Sequence, residues 1–113
     1  MQDILTHIAD GVLTLTINRV DKKNSFTPAM YAAMAAGLEQ AKADPAIRVT
    51  VIQGDVTVFS AGNDIGDFLQ RKPSTQESPV FQFLRAIASH PKPVIAAVCG
   101  PAVGIGTTLL FHC

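Results

Sequence analysis

The chain has 113 residues, 48% of them hydrophobic, which is enough apolar material for one domain core and too little length for two. Nine basic residues balance nine acidic ones and are interspersed with them, so nothing favours nucleic acid, an anionic membrane or a strongly acidic partner. No window approaches the ~18 apolar residues of a spanning helix, and MQDILTHIADG lacks the basic-then-apolar order of a leader; a cytoplasmic protein is expected.

Two cysteines, Cys99 and Cys113, make neither a disulfide framework nor a CxxC motif, and no metal site is indicated. Both are expected to be free thiols packed as small apolar groups.

Residues 4 to 8 and 12 to 18 are separated by Ala9, Asp10 and Gly11, and the second run alternates Val12, Thr14, Thr16 with Leu13, Leu15, Ile17. This predicts a β-hairpin, with His7 on its surface. The polar segment 19–25 leads to Thr27 and Pro28, a suitable N-cap and first helical residue. A helix is predicted over 29–43, with Met30, Met34 and Leu38 at core spacing, stopped by Asp44 and Pro45.

A buried strand is predicted over 48–53, then a short one at Val58 and Phe59 that runs into a small-residue turn, SAGND, at 60–64. Ile65, Phe68 and Leu69 predict a brief helix, and 70–79 a polar surface loop. Val80, Phe81, Leu84, Ile87 and Ala88 are spaced as a helix. The run 94–99, flanked by Pro93 and Gly100, predicts a strand buried on both faces. A glycine turn at 100–106 follows, and a helix begins around Thr107 to Leu110. Alternating strands and helices define an α/β fold with a largely parallel sheet.

The turns at 60–64 and 100–106 both end strands, so a parallel sheet would bring them to its carboxyl edge, where ligands bind. One such turn is explained as a tight connection; two, each before a helix start, point to a site built from main chain. Phosphate-binding motifs fit poorly. The lysine of GxxxxGK[ST] is missing, and a GxGxxG started at Gly104 meets Leu109 at its third glycine.

Three segments, NRVDKKNSFT at 18–27, FSAGNDI at 59–65 and KPVIAAVCGPAVGIGTTLL at 92–110, together resemble the enoyl-CoA hydratase/isomerase (crotonase) superfamily. The resemblance covers essentially the whole chain. It implies a crotonase-like strand/helix spiral of ββα repeats, with residues 1–113 forming the amino-terminal part of a single domain that is incomplete at its C-terminus. It also implies an acyl-CoA thioester as substrate, with coenzyme A belonging to that substrate and no separate cofactor. A homotrimer or hexamer of the full-length form is the expected assembly.

By position, the thioester carbonyl would accept hydrogen bonds from the backbone N–H groups of Asn63 and Ile105. Ala61 and Ile65 would line the adenine part of coenzyme A, and Gly62, Asp64, Gly104 and Gly106 would shape the substrate site. Lys22 and Lys23 would lie near its phosphates, with plain solvated surface as the alternative. The first glutamate of the family's hydratases aligns with Thr108, which cannot act as that carboxylate. This departure leans towards Δ3,Δ2-enoyl-CoA isomerases, which use a single downstream base, expected beyond residue 113. A hydratase-like protein and a non-catalytic acyl-CoA binding fragment are the alternatives. Within the chain, Asp64 is expected as a helix cap, Asp67 as a solvent-facing residue and Glu77 as part of the polar loop.

Overall fold

The computed structural model describes residues 2–66 and 78–113. Phe68, Leu69, Asp67, Glu77 and most of the loop expected at 70–79 lie outside the described residues.

Two antiparallel strands open the chain, β1 (Ile4–Ala9) and β2 (Val12–Ile17), paired from Ile4 opposite Ile17 to Ala9 opposite Val12. Asp10 and Gly11 join them with φ of 54° and 79°. Positive φ at both central positions is the tight turn whose twist matches a hairpin, and Asp-Gly accommodates it. Helix α1 (Pro28–Ala43) starts with the Thr27 side chain accepting the Met30 N–H. It delivers the chain to β3 (Val49–Gln53), which pairs parallel to β2. Helix α2 (Pro79–Ala88) leads to β4 (Val94–Ala97), parallel to β3. The sheet order β1-β2-β3-β4 is the chain order.

The two crossover helices share one core with one face of the sheet. Leu13, Leu15, Ile17, Ile52 and Val94 pack there against Met30, Met34 and Leu38 of α1 and Phe83 and Ile87 of α2. α1 comes close to β2 at Gly37, where an added Cβ would stand 2.8 Å from a Leu15 methyl. Leu13, Leu15 and Ile52 are fully buried, whereas their alternating neighbours Val12, Thr14, Val49 and Val51 are half-buried.

Three expectations are corrected. The strand at 94–99 is not buried on both faces. It ends at Ala97, lies at the edge of the sheet, and leaves Ile95 53% and Val98 41% exposed, because α1 and α2 cover only the other face. The cysteines are free but exposed rather than packed inside, Cys99 because it follows that edge strand. Val58 and Phe59 are buried without forming a strand: the pairing beside them is an isolated bridge between Ser60 and Ala102.

Candidate functional site

The turn at 60–64 is held by a buried polar network. Asn24 adopts φ of 56°, and its side-chain Nδ2 donates to the carbonyls of Val58 and Phe59 at 3.2 Å each, while its Oδ1 accepts the Arg19 N–H at 2.7 Å. Ser60, fully buried, donates its hydroxyl to the Asn24 carbonyl at 2.9 Å and accepts the Gly62 N–H at 3.1 Å. Beyond it, Phe26 and Asn63 form a parallel bridge, with the Phe26 N–H donating to Gly62 O and the Asp64 N–H to Phe26 O. In that arrangement the N–H and C=O of residue 63 itself face away from residue 26. Among the described residues the Asn63 N–H has no hydrogen-bond acceptor.

The second turn runs beside the first. The Ser60 N–H donates to Pro101 O and the Val103 N–H to Ser60 O. After Gly104, at φ 59° and ψ −129°, comes the single-turn helix α3 (Ile105–Thr108), continued by a 3-10 turn over Leu109–His112. It begins at Ile105, two residues earlier than the sequence suggested. As first helical residue Ile105 has no acceptor for its N–H within the helix, and none elsewhere among the described residues.

The turns touch at their glycines. A Cβ built on Gly62 would stand 2.9 Å from Val103 O and 3.6 Å from Gly104 Cα, and one on Gly104 would stand 3.7 Å from Gly62 Cα. Each unpartnered amide, 63 and 105, therefore follows directly on one member of a contacting glycine pair. Gly106 is buried against the first turn: its Cβ would fall 2.7 Å from Ser60 O. Thr107 Oγ1 donates to Ala102 O at 2.5 Å, closing the second turn on itself.

The remaining residues singled out above are distributed unevenly. Ala61 and Lys23 line a cleft of about 250 Å³ with Val20, Thr57, Val58, Pro101 and Val103, and the Ala61 N–H donates to Lys23 O at 3.0 Å. Lys22 and Ile65 are both exposed, and neither lines that cleft. Asp64 Oδ2 accepts from Arg19 Nη1 at 2.9 Å, and the same nitrogen reaches the carbonyl and hydroxyl of Ser25. Thr108 is exposed, with its hydroxyl 3.4 Å from Ile105 O.

Sequence reasoning passed over Arg19, Asn24, Ser60 and Tyr31 as individual residues. Asn24 lies inside the NRVDKKNSFT motif and Ser60 opens SAGND, so the motifs carried them unnoticed. Tyr31 had no such signal. It is buried in α1 between Phe26 and Phe83, with ring centroids 5.2 and 5.6 Å away, and its hydroxyl donates to Asn63 Oδ1. Burial pushes the Tyr31 phenol well above its ordinary pKa.

Sheet, crossover helices and paired glycine turns place the chain in the crotonase class of α/β proteins. It belongs to the enoyl-CoA hydratase/isomerase family, whose model matches residues 7–113. Among its relatives, 1,2-epoxyphenylacetyl-CoA isomerase of Escherichia coli K12 is 40% identical over 96% of the chain and 44% of that protein. Peroxisomal enoyl-CoA delta isomerase 3 of Mus musculus is 34% identical over 96% of the chain and 36% of its own length. Among solved structures, Pseudomonas aeruginosa OdaA superposes with a TM-score of 0.96 at 54% identity, over all of this chain and 46% of that one. The chain thus spans less than half the length of these relatives.

Proposed function

We propose that this chain carries the thioester-binding part of an acyl-CoA isomerase site. In this reading the N–H groups of Asn63 and Ile105 converge on the thioester carbonyl oxygen. When a base takes a proton from carbon next to that carbonyl, the electron pair moves onto oxygen, and the two amides stabilise the resulting enolate until a proton returns at another carbon. Each such donor contributes about 3 kcal/mol in the transition state. The amides are fixed by the main chain and lack partners among the described residues, so little reorganisation opposes them. The cleft lined by Ala61, Lys23 and Val103 takes part of the coenzyme A moiety, with Lys23 as the cation nearest its phosphates.

The observation that carries this reading is the contact between the two glycine turns, each followed by an unpartnered amide. In this reading the base is supplied from outside residues 1–113, as the resemblance to single-base isomerases implies; Asp64 is engaged with Arg19, and Thr108 bears no carboxylate. Isomerisation is favoured over hydration by Thr108 and by isomerases among the relatives.

Calorimetric titration with an acyl-CoA thioester and with its carbonyl-free thioether analogue tests the amide site. The thioester is expected to bind at least about tenfold more tightly, as two added hydrogen bonds imply; equal affinities would remove the reading. Turnover of trans-3-enoyl-CoA, measured for this chain and for a polypeptide extended to the relatives' length, tests the base. Activity in the longer form alone is the expected result.

A further inference from the structure

We infer that Tyr31 is a positioning residue that keeps the Asn63 side chain out of the thioester site, by occupying its amide oxygen with the phenol hydroxyl. The inference rests on the reading of the 63 and 105 amides given above.

An asparagine in a tight turn competes for nearby main-chain N–H groups through its side-chain oxygen. Residue 63 sits in such a turn, beside its own unpartnered N–H and across the glycine contact from that of Ile105. Left free, its Oδ1 would be an internal competitor for the donors a thioester oxygen needs. In the structure that oxygen is taken by Tyr31, which approaches from α1 within the core rather than from the turn. The ring cannot swing away, because it is 3% exposed and wedged between Phe26 and Phe83. Burial raises the phenol's pKa, which favours the protonated, donating hydroxyl. Arg19 does the same for the neighbouring carboxylate of Asp64, so both polar side chains after Gly62 are held by residues from outside the turn.

The test is a double-mutant cycle on binding of the thioester and of its thioether analogue. Tyr31→Phe is expected to weaken thioester binding roughly 3- to 10-fold, the span of one neutral hydrogen bond, and to leave thioether binding unchanged. Asn63→Ala deletes the competitor and serves as the reference background, and adding Tyr31→Phe to it should cost nothing further. An equal loss in the Asn63→Ala background, or a parallel loss for the thioether, would assign Tyr31 to core packing and overturn the inference. Wild type that prefers the thioester, with Tyr31→Phe retaining that preference, would sink the inference alone; wild type without the preference sinks the thioester reading and the inference together.

A second measurement does not depend on how Tyr31→Phe folds. Tyr31 is the single tyrosine of the chain, so uniform 3-fluorotyrosine labels it alone. Its fluorine resonance should shift on Asn63→Ala, and an unmoved resonance would deny the contact.

Discussion

Gly104 and Gly106 restrict the second turn in different ways. Gly104 has room beside it but a φ of 59° with ψ of −129°, a backbone state that a side chain with a Cβ tolerates poorly. Gly106 has an ordinary helical position and no room, since Ser60 O and Cβ stand 2.7 and 3.0 Å from where its Cβ would be. Gly104→Val should therefore cost about 1–3 kcal/mol through strain, and Gly106→Val about 2–4 kcal/mol through displacement of the 60–64 turn. Urea unfolding measures both. Thioester binding separates them from ordinary destabilisation: both variants are expected to lose it under conditions where circular dichroism still shows them folded.

His90 offers a pH test at the same scale. Desolvation, aided by the charge of Lys92, holds its pKa below the usual 6.5, against a smaller opposing pull from Glu39, and its Nε2 is buried without a partner among the described residues. The unfolded chain then binds a proton more readily than the folded one. This contribution to stability is complete above pH 6.5 and falls as pH drops through the interval between 6.5 and the depressed folded value. His90→Gln should flatten the stability profile in that interval; an unchanged slope would remove His90 as its source.

Among the elements, α1 is fastened at both ends by side chains. Thr27 caps its start, and Thr27→Ala should cost about 1 kcal/mol in urea unfolding. At its end, Lys92 from the segment before β4 donates to the carbonyls of Ala41, Asp44 and Ile47 at 2.5, 2.8 and 2.7 Å. One ammonium thus ties the last turn of α1, the approach to β3 and the approach to β4 together, and complements the negative end of the helix dipole. Lys92→Met keeps the stem and removes the charge, leaving three carbonyls without that donor. A loss of about 2–4 kcal/mol is expected, well beyond the effect of a solvated lysine. This gives the KP at the head of the third motif a physical role.

The elements were legible where one local rule sufficed. Alternation in β2, Asp-Gly in the hairpin turn, and Thr27-Pro28 before an apolar helical stripe each describe what a few neighbouring residues prefer. The 94–99 run misled because an apolar strand reads the same whether its second face is covered or open. Coverage depends on which side the crossover helices pack, and that is not written in the strand. At the site, the glycines advertised the two turns, but the groups that shape them did not stand out. Asn24 meets Val58 and Phe59, and Tyr31 meets Asn63, across more than 30 positions of sequence, where no periodicity reports contact.

On the scale of the whole molecule, large apolar residues are exposed along much of the described chain, and four of them follow one another from the edge strand onward. Ile95, Val98, Val103 and Phe111 are 53, 41, 56 and 83% exposed, all at or after the edge strand. Such a surface favours association. Sedimentation velocity of this 113-residue chain should show species larger than the monomer, and Ile95→Lys with Phe111→Lys should shift the distribution towards the monomer. A concentration-independent monomer in the unsubstituted chain would contradict the expectation.

The sheet order has a consequence for biosynthesis. Each strand pairs with the one made just before it, so no strand waits for a partner still inside the ribosome. The nascent chain can grow its sheet by accretion, with hairpin, α1 and β3 docking before β4 emerges. Ribosome-stalled chains of increasing length should then gain protease resistance in steps, the first once β3 has cleared the exit tunnel; resistance arriving all at once with the last residues would rule out accretion.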